Sequence, residues 1–175
     1  MSGKAIGISL NYGYAGNVAR TPDCIIEPKT ANESNTANIL FGQPVEILAD
    51  NTVKNASDTL TADNFLGVAV AEVKQFQSYS PTQNSTQQGF YAPLDTVDVV
   101  KRGTVSVKCV AGTPAPLTGV YVRTVLNVAF PDEVVGDFRA AADGSNTVQL
   151  TNCAWQTGRM DANNITELLI KTINN

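Results

Sequence analysis

Residues 95–110 read DTVDVVKRGTVSVKCV, and this stretch decides the fold class. One parity of the stretch is apolar, at Val97, Val99, Val105, Val107 and Cys109. The other parity carries polar side chains, at Asp98, Arg102, Thr104, Ser106 and Lys108. A period of two is typical of a strand with one dry face and one solvent-facing face. The break at Lys101-Arg102-Gly103 predicts a bulge or a bend between two strand halves.

Other apolar stretches have the length of strands rather than of helices. They are ILFGQPVEILAD at 39–50, FLGVAVAEV at 65–73 and GVYVRTVLNVAF at 119–130. The chain is rich in Val and Thr, whose β-branched side chains pack well on a pleated surface. Long helical stretches of Ala, Glu, Lys and Leu are missing from the sequence. These observations predict an all-β protein.

The chain divides into a polar amino-terminal part and an apolar remainder. A length of 175 residues fits one domain. Residues 11–38 are rich in Asn, Gly, Thr and Ala, which predicts an extended arm with at most one short strand. We therefore expect an arm or irregular wrapping segment over residues 1–38 and a β domain over residues 39–175. The polar stretch 75–89 predicts a surface loop.

Three local features concern the second half of the chain. Residues 138–141 and 147–150 flank an Asp-Gly at Asp143-Gly144, which predicts a β-hairpin. Residues 131–133, Pro-Asp-Glu, are suited to open one helical turn. The tail at 165–173 fits a helix and a strand almost equally, and we favour the strand.

The charge pattern argues against nucleic acid and membrane as direct partners. A net charge of -4 arises from 12 basic and 16 acidic residues, with no basic stripe. The longest apolar run is far shorter than the roughly 18 residues of a membrane span. We find no secretory signal near the first residue and expect synthesis in a cytoplasm.

The residue types present give little support for catalysis or metal binding. The sequence contains no histidine, which removes the commonest general base and metal ligand. Two carboxylate pairs, Asp132 with Glu133 and Asp95 with Asp98, fit solvated surface charges better than a glycosidase site. Three separated cysteines form no disulfide framework or zinc pair, and we expect Cys153 and Trp155 to pack rather than react. We predict no enzyme activity, no cofactor and no metal.

Aromatic side chains are the best candidates for binding. Some of them could form a platform for a sugar or an apolar peptide, namely Phe76, Tyr79, Phe90, Tyr91, Tyr121 and Trp155. The candidate interface residues are Tyr12, Tyr14, Phe76, Tyr79 and Trp155. For each member of the aromatic platform taken singly, a place in the core of a β domain or at a subunit contact is the simpler interpretation.

An ordered set of stretches resembles one known family. They are FLGVAVAEV at 65–73, QSYS at 77–80 before Phe90-Tyr91, VDVVKRGTVSVKC at 97–109, GVYVR at 119–123, and GDFRAAADGSNTVQLTNCAW at 136–155. In content and order this set is similar to bacteriophage capsid cement, or decoration, proteins, over roughly residues 10–173. The family has no recurrent site residues to transfer to this sequence.

The resemblance implies a fold and a role. The fold is a β-sandwich or jelly-roll-like domain, here over residues 39–175. The role is structural: symmetric homo-oligomers, dimers or trimers, coat the outer surface of the virion and clamp neighbouring major capsid subunits. A tail or baseplate structural protein and a carbohydrate-binding β-sandwich module are the alternatives. Copy number per particle would separate the first alternative from a shell coat.

Overall fold

Strands make up nearly all of the regular structure of this protein. The computed structural model describes residues 12–35, 37–71, 89–116 and 118–171. Within them the strands are β1 Val18–Thr30, β2 Ile39–Leu40, β3 Pro44–Ile47, β4 Val53–Asn55, β5 Phe65–Ala69, β6 Phe90–Tyr91, β7 Thr96–Ala111, β8 Tyr121–Arg123, β9 Phe138–Arg139, β10 Thr147–Gln149, β11 Cys153–Trp155 and β12 Ile165–Ile170. One short 3-10 helix, Gly144–Asn146, precedes β10. The all-β prediction is confirmed.

β7 is the strand around which the main sheet is built. In the described part of the chain that sheet has ten strands, in the order β10-β8-β9-β7-β5-β3-β4, with β1 and β12 also paired to β7 and β11 paired to β12. Among the strands of the described segments, β7 and β9 alone pair in parallel. β2 and β6 form a separate pair. The sheet is therefore mixed, and its jelly-roll character stays a prediction.

Both faces of β7 are covered, which corrects the prediction of one wet face. Neighbouring residues of a strand point to opposite faces, and Val99 and Val100 belong to two different apolar clusters. The polar residues Asp98, Thr104 and Ser106 are buried as well. The alternation correctly predicts a strand, but side chains of the two apolar clusters pack on its two faces and leave little of it in contact with solvent.

The predicted irregularity at Gly103 is confirmed. Gly103 has a φ of +122°, and the pairing of β1 with β7 shifts register between Arg20 and Ile25. A Cβ at this position would lie 2.8 Å from the carbonyl oxygen of Asp23. The backbone of β1 approaches β7 so closely here that only glycine fits.

The amino-terminal segment contains far more strand than the composition predicts. β1 is 13 residues long and pairs antiparallel with β7 from Val18 to Thr30, so the expectation of at most one short strand is wrong. The polar side chains of this segment do not prevent strand formation, because the backbone N–H and C=O groups of β1 form hydrogen bonds with those of β7. The boundary proposed after residue 38 stays a prediction.

The predicted hairpin around Asp143-Gly144 does not form. β9 and β10 do not pair with each other; β8 lies between them, paired with Phe138 and Arg139 on one edge and with residues 147–149 on the other. The connection that contains Asp143 therefore crosses over β8. Sequence spacing cannot distinguish two adjacent strands from two strands that flank a third.

The remaining local predictions have mixed outcomes. The tail forms a strand from Ile165 to Ile170, as favoured. Of the long candidate at 119–130, only Tyr121–Arg123 is strand. Residues 131 and 132 lie in a turn and 133 has no regular structure, so the helical turn is absent. In the parts of the chain that the structure describes, no helix is long and apolar enough to cross a membrane.

Candidate interaction surface

Of the five candidate interface residues, the structure describes Tyr12, Tyr14 and Trp155. The Tyr12 hydroxyl lies 3.4 Å from the Thr157 hydroxyl, and Tyr14 is 68% exposed. Trp155 is 1% exposed in the core, where its indole N–H donates to the carbonyl oxygen of Gly119 at 3.1 Å. Phe76 and Tyr79 lie outside the described residues. Trp155 therefore packs, as expected for a large aromatic side chain in a β domain.

The aromatic platform is not assembled by the residues that are described. Tyr91 is buried, and its hydroxyl donates to the carbonyl oxygen of Val70 at 2.6 Å. Its ring packs edge-on against Phe41, with 5.2 Å between the centroids. Phe90 and Tyr121 are partly buried on separate strands.

In each of the two candidate carboxylate pairs, the two residues lie in different environments. Glu133 is held in ion pairs with Arg123 and Arg139, whereas Asp132 is exposed. Asp98 is buried, whereas Asp95 is exposed and accepts a hydrogen bond from the backbone of Ala92. Neither pair therefore places two carboxylates on either side of one substrate, as a glycosidase requires.

The three cysteines are free thiols in unreactive settings. Cys109 and Cys153 are buried, and burial raises the pKa of both thiols. Burial, with the nearby carboxylate of Asp23, also raises the pKa of Cys24. A thiol with a raised pKa is rarely ionised near neutral pH and is a poor nucleophile. The expected packing role of Cys153 is confirmed.

One cleft in the described part of the chain is small. A cleft of about 250 Å³ lies between the β2–β3 region and Gly136, with Gln43 and Asn55 among its polar lining residues. Pockets for small molecules usually measure about 300–1,000 Å³. No group of three or more potential metal ligands occurs in the described segments.

The most unusual surface is the segment between β8 and β9, residues 124–137, here called the β8–β9 loop. Within it Val128 is 99% exposed, and four more large apolar side chains are at least 40% exposed. Those four are Val125, Leu126, Phe130 and Val134. Single exposed apolar residues are ordinary, but a contiguous group of them marks an interaction surface.

Backbone hydrogen bonds give the β8–β9 loop a defined shape. Its two ends are joined by the Gly136 N–H, which donates to the carbonyl oxygen of Arg123 at 2.8 Å. At its tip the Ala129 N–H donates to Oδ1 of Asn127 at 3.0 Å. Near its end the Val134 N–H donates to the Asp137 carboxylate at 2.7 Å. These bonds fix the apolar side chains on a structured backbone.

Buried charges lie directly beneath this loop. The guanidinium groups of Arg123 and Arg139 are almost fully buried, and each forms ion pairs with both Glu133 and Asp143. Nε of Arg123 donates to Glu133 at 2.6 Å, and its Nη1 lies 3.0 Å from the Asp143 carboxylate. Two positive and two negative groups balance, which buried charges require.

One aromatic ring joins the charged cluster to the exposed apolar group. The ring centroid of Phe130 lies 5.6 Å from the Arg123 guanidinium carbon and 5.0 Å from that of Arg139. These are cation–π distances. Nη1 of Arg123 also donates to the carbonyl oxygen of Val125 at 3.1 Å. The cluster therefore holds both sides of the β8–β9 loop.

Sequence reasoning missed this surface because it assigned residues 119–130 to a strand. The missed signal was local: Asn127 and Pro131 are turn residues inside an apolar run. Arginines at 123 and 139 gave no sign of burial, because their carboxylate partners are distant in the sequence for three of the four pairs. Only Arg139 and Asp143 have a suggestive spacing.

The described residues thus define an all-β protein whose distinctive feature is a structured loop with exposed apolar side chains. A family model described as structural cement protein (E217 gp24/Pam3 gp6) matches residues 3–171, and the chain belongs to this phage family. Its fold is similar to a chain of the structure titled "The capsid of Myoviridae Phage XM1", with 15% identity, a TM-score of 0.68 and 99% of each chain covered. A comparison with curated proteins found no match.

Membership of this family gives the role of the protein. It is a structural protein of the bacteriophage virion that stabilises the capsid, and it associates with capsid proteins. The resemblance noted in the sequence is therefore confirmed. Its family is one of structural rather than catalytic proteins.

Proposed function

We propose that this protein lies on the outer surface of the phage head and clamps neighbouring major capsid subunits, with the β8–β9 loop as its contact. The single observation that carries the proposal is a group of exposed apolar side chains on a hydrogen-bonded loop, with Val128 fully in solvent. A loop of this kind adds nothing to the core of its own chain, so its apolar residues are accounted for by a partner.

The energetics of such a contact are favourable. Full burial of a Val, Leu or Phe side chain contributes about 1.5–3 kcal/mol. The backbone of the β8–β9 loop is already ordered by its own hydrogen bonds, so binding need not pay for ordering it. A small contact of this kind becomes effective when it is repeated on a lattice through linked copies.

Two further features belong to the same proposal. We propose that the protein acts as a symmetric homo-oligomer, a dimer or a trimer, because linked copies can engage several subunits at once. The net charge of -4 favours the outer surface of the shell over the inner surface, which faces packaged DNA. A tail or baseplate location would use the same type of surface in far fewer copies.

The experiment compares binding to capsids that lack this protein. The double variant Leu126→Ser and Val128→Ser removes two exposed apolar side chains of the loop. We expect its affinity for capsids to fall at least about tenfold, as for loss of an apolar hot spot. The matched control is Ile25→Thr, which changes an exposed apolar side chain on β1 and keeps a β-branched residue.

The outcomes separate the possibilities. Wild-type binding in a number of copies comparable to the major capsid protein, lost in the double variant and kept in Ile25→Thr, supports the proposal. Unchanged binding by the double variant refutes the contact. A handful of copies per particle, measured by quantitative mass spectrometry, refutes the shell coat and favours a tail protein.

A further inference from the structure

A second unusual apolar residue lies in the turn before β7, residues 92–95, here called the Leu94 turn. The Asp95 N–H donates to the carbonyl oxygen of Ala92 at 3.1 Å, which closes a four-residue turn. Pro93 occupies the second position, and Leu94, with a φ of +69°, occupies the third. A negative φ followed by a positive φ is the arrangement of a type II turn.

Leucine is a poor residue for the third position of this turn. A positive φ brings Cβ close to the backbone, so glycine or asparagine normally occupies such positions. The other non-glycine residues with a positive φ in the described segments are Asn51 and Asn164, which follow this rule. Leu94 breaks it, and its side chain is 63% exposed, so packing within the chain does not explain the exception.

Neighbouring groups hold Leu94 in this conformation. The Leu94 N–H donates to the carbonyl oxygen of Ala31 at 3.1 Å, and the Ala31 N–H donates to that of Asp95 at 2.8 Å. The Asp95 carboxylate accepts the Ala92 N–H at 2.7 Å. Strain that the surroundings maintain at an exposed position is a sign of function.

The Leu94 turn and the β8–β9 loop lie at opposite ends of β7. The turn immediately precedes Thr96, where β7 begins, and β9 pairs with Cys109 and Ala111, where β7 ends. A strand of 16 residues spans at most about 50 Å, and the bend at Gly103 shortens it. An exposed apolar group therefore lies near each end of β7.

We propose that Leu94 is a second contact with the major capsid protein, on a subunit other than the one that the β8–β9 loop binds. This inference rests on the proposed function and adds a second contact, so that one copy of the protein binds two neighbouring capsid subunits. The area at the turn argues for this occupant. Asp95 and Thr96 are exposed and polar, and Ala92 and Pro93 are partly buried, so Leu94 is the one large exposed apolar side chain of the turn.

A second copy of this chain is a poor occupant for so small a surface. A stable protein interface buries about 800 Å² on each partner, far more than one leucine supplies. A single apolar side chain can instead strengthen the hold on a partner that is already bound through another surface. The capsid, bound through the β8–β9 loop, is that partner.

The test uses two substitutions with opposite effects on the turn. Leu94→Asn places a residue that accepts a positive φ, so we expect an unchanged Tm or a rise of about 2–4 °C. The same change removes the apolar side chain, and we expect the affinity for capsids to fall about tenfold. Leu94→Met keeps an apolar side chain at the same φ and should keep wild-type affinity. A variant that gains stability and loses binding cannot be explained by misfolding.

The outcomes distinguish this inference from the proposed function. Capsid binding by wild type that is weakened in the loop double variant but unchanged in Leu94→Asn refutes only the role of Leu94. Wild-type protein that does not bind capsids refutes the proposed function itself. If Leu94→Asn lowers the oligomeric state of free protein in analytical ultracentrifugation, the side chain belongs to a contact between copies, and the inference is wrong.

Discussion

The middle and the carboxyl end of β7 follow opposite rules for which side chains are buried and which face solvent. Around its middle, Val100 and Val105 pack with Leu168 of β12 and Trp155 of β11 in an apolar core. At its carboxyl end two arginines are buried, while the valines and the leucine of the β8–β9 loop face solvent.

The two regions therefore have different roles: one stabilises the fold, and the other holds apolar side chains at the surface. Apolar burial stabilises the middle of the sheet directly. A buried ion pair contributes little net stability, because desolvation offsets its attraction, yet removal of one member is costly. The charged cluster of Arg123, Arg139, Glu133 and Asp143 therefore fixes the shape of the β8–β9 loop rather than strengthening the fold. The loop can then keep its apolar side chains outside.

The largest effect should come from breaking the charged cluster. Arg123→Met leaves the carboxylates of Glu133 and Asp143 with one cation in place of two. We expect the free energy of unfolding to fall by about 3–5 kcal/mol, measured by urea denaturation, because an uncompensated buried charge remains. The matched control is Arg102→Met, which breaks an exposed ion pair with Asp23 and should cost about 0–1 kcal/mol.

A compensating change sharpens this prediction. Adding Glu133→Gln to Arg123→Met removes one negative charge and should recover part of the lost stability. Equal losses from Arg123→Met and Arg102→Met would contradict the role assigned to the cluster.

The apolar middle of the sheet should respond to loss of volume. Leu168→Ala truncates a fully buried side chain and leaves a cavity, so we expect a loss of about 2–5 kcal/mol in the free energy of unfolding. Leu168→Met, which nearly conserves volume, should cost less than about 1.5 kcal/mol. A loss below that of Leu168→Met would mean that the site collapses around the truncation.

Two carboxylates, Asp143 and the last residue of the loop, Asp137, should give opposite pH dependences of stability. Hydrogen bonding from Asn127, with Arg123 and Asn146, lowers the pKa of Asp143 below its ordinary 3.8. Its contribution to stability is therefore present above about pH 4 and is lost as the pH falls through the folded-state pKa. Burial raises the pKa of Asp137, so its contribution is present below 3.8 and is lost as the pH rises through the folded-state pKa.

Single substitutions isolate each contribution. Between pH 2 and 4 (about the range in which such groups titrate), Asp143→Asn should flatten the acid-induced fall in Tm relative to wild type. Above about pH 4, where the Asp137 carboxyl ionises in the folded state, Asp137→Asn should remove the loss of Tm that this ionisation causes as the pH rises. The assigned environments would be wrong if Asp143→Asn left the acid-induced fall in Tm unchanged, or if Asp137→Asn left the fall at higher pH unchanged.

The smallest effect on stability is expected at the tip of the loop. Val128→Ser changes a side chain that contacts almost nothing in its own chain, and the free energy of unfolding should stay within about 0.5 kcal/mol of wild type. Capsid binding should nevertheless weaken. A large loss of stability would show that Val128 supports the fold and is no free contact.

Regular strands were predictable wherever the local pattern was strong. The alternation in 96–111, the apolar run at 65–69 and the β-rich tail at 165–170 are strands in the structure. The bulge at Gly103 followed from its residue type, and burial of Cys153 and Trp155 followed from their size and polarity. Each of these features depends on residues close together in the sequence.

Features that depend on distant residues were not predictable. The prediction of a hairpin was wrong because β8 lies between β9 and β10. Nothing within residues 138–150 indicates this third strand. The prediction of a wet face on β7 was wrong because both faces are covered by side chains distant in the sequence, such as Ala31 and Tyr91 in one apolar cluster and Trp155 and Leu168 in the other. The β8–β9 loop was missed because a run of exposed valines has the composition of a strand, and only the fold shows that Val128 faces solvent.

The most direct test is photo-crosslinking from position 128 in assembled particles. Val128 is replaced by a photoreactive aromatic amino acid, which its 99% exposure allows without disturbance of the fold. Illumination of decorated heads, followed by mass spectrometry, should give crosslinks from position 128 to the major capsid protein. Crosslinks only to other copies of this chain, or none in particles that contain the variant, would contradict the account of the β8–β9 loop as the capsid contact.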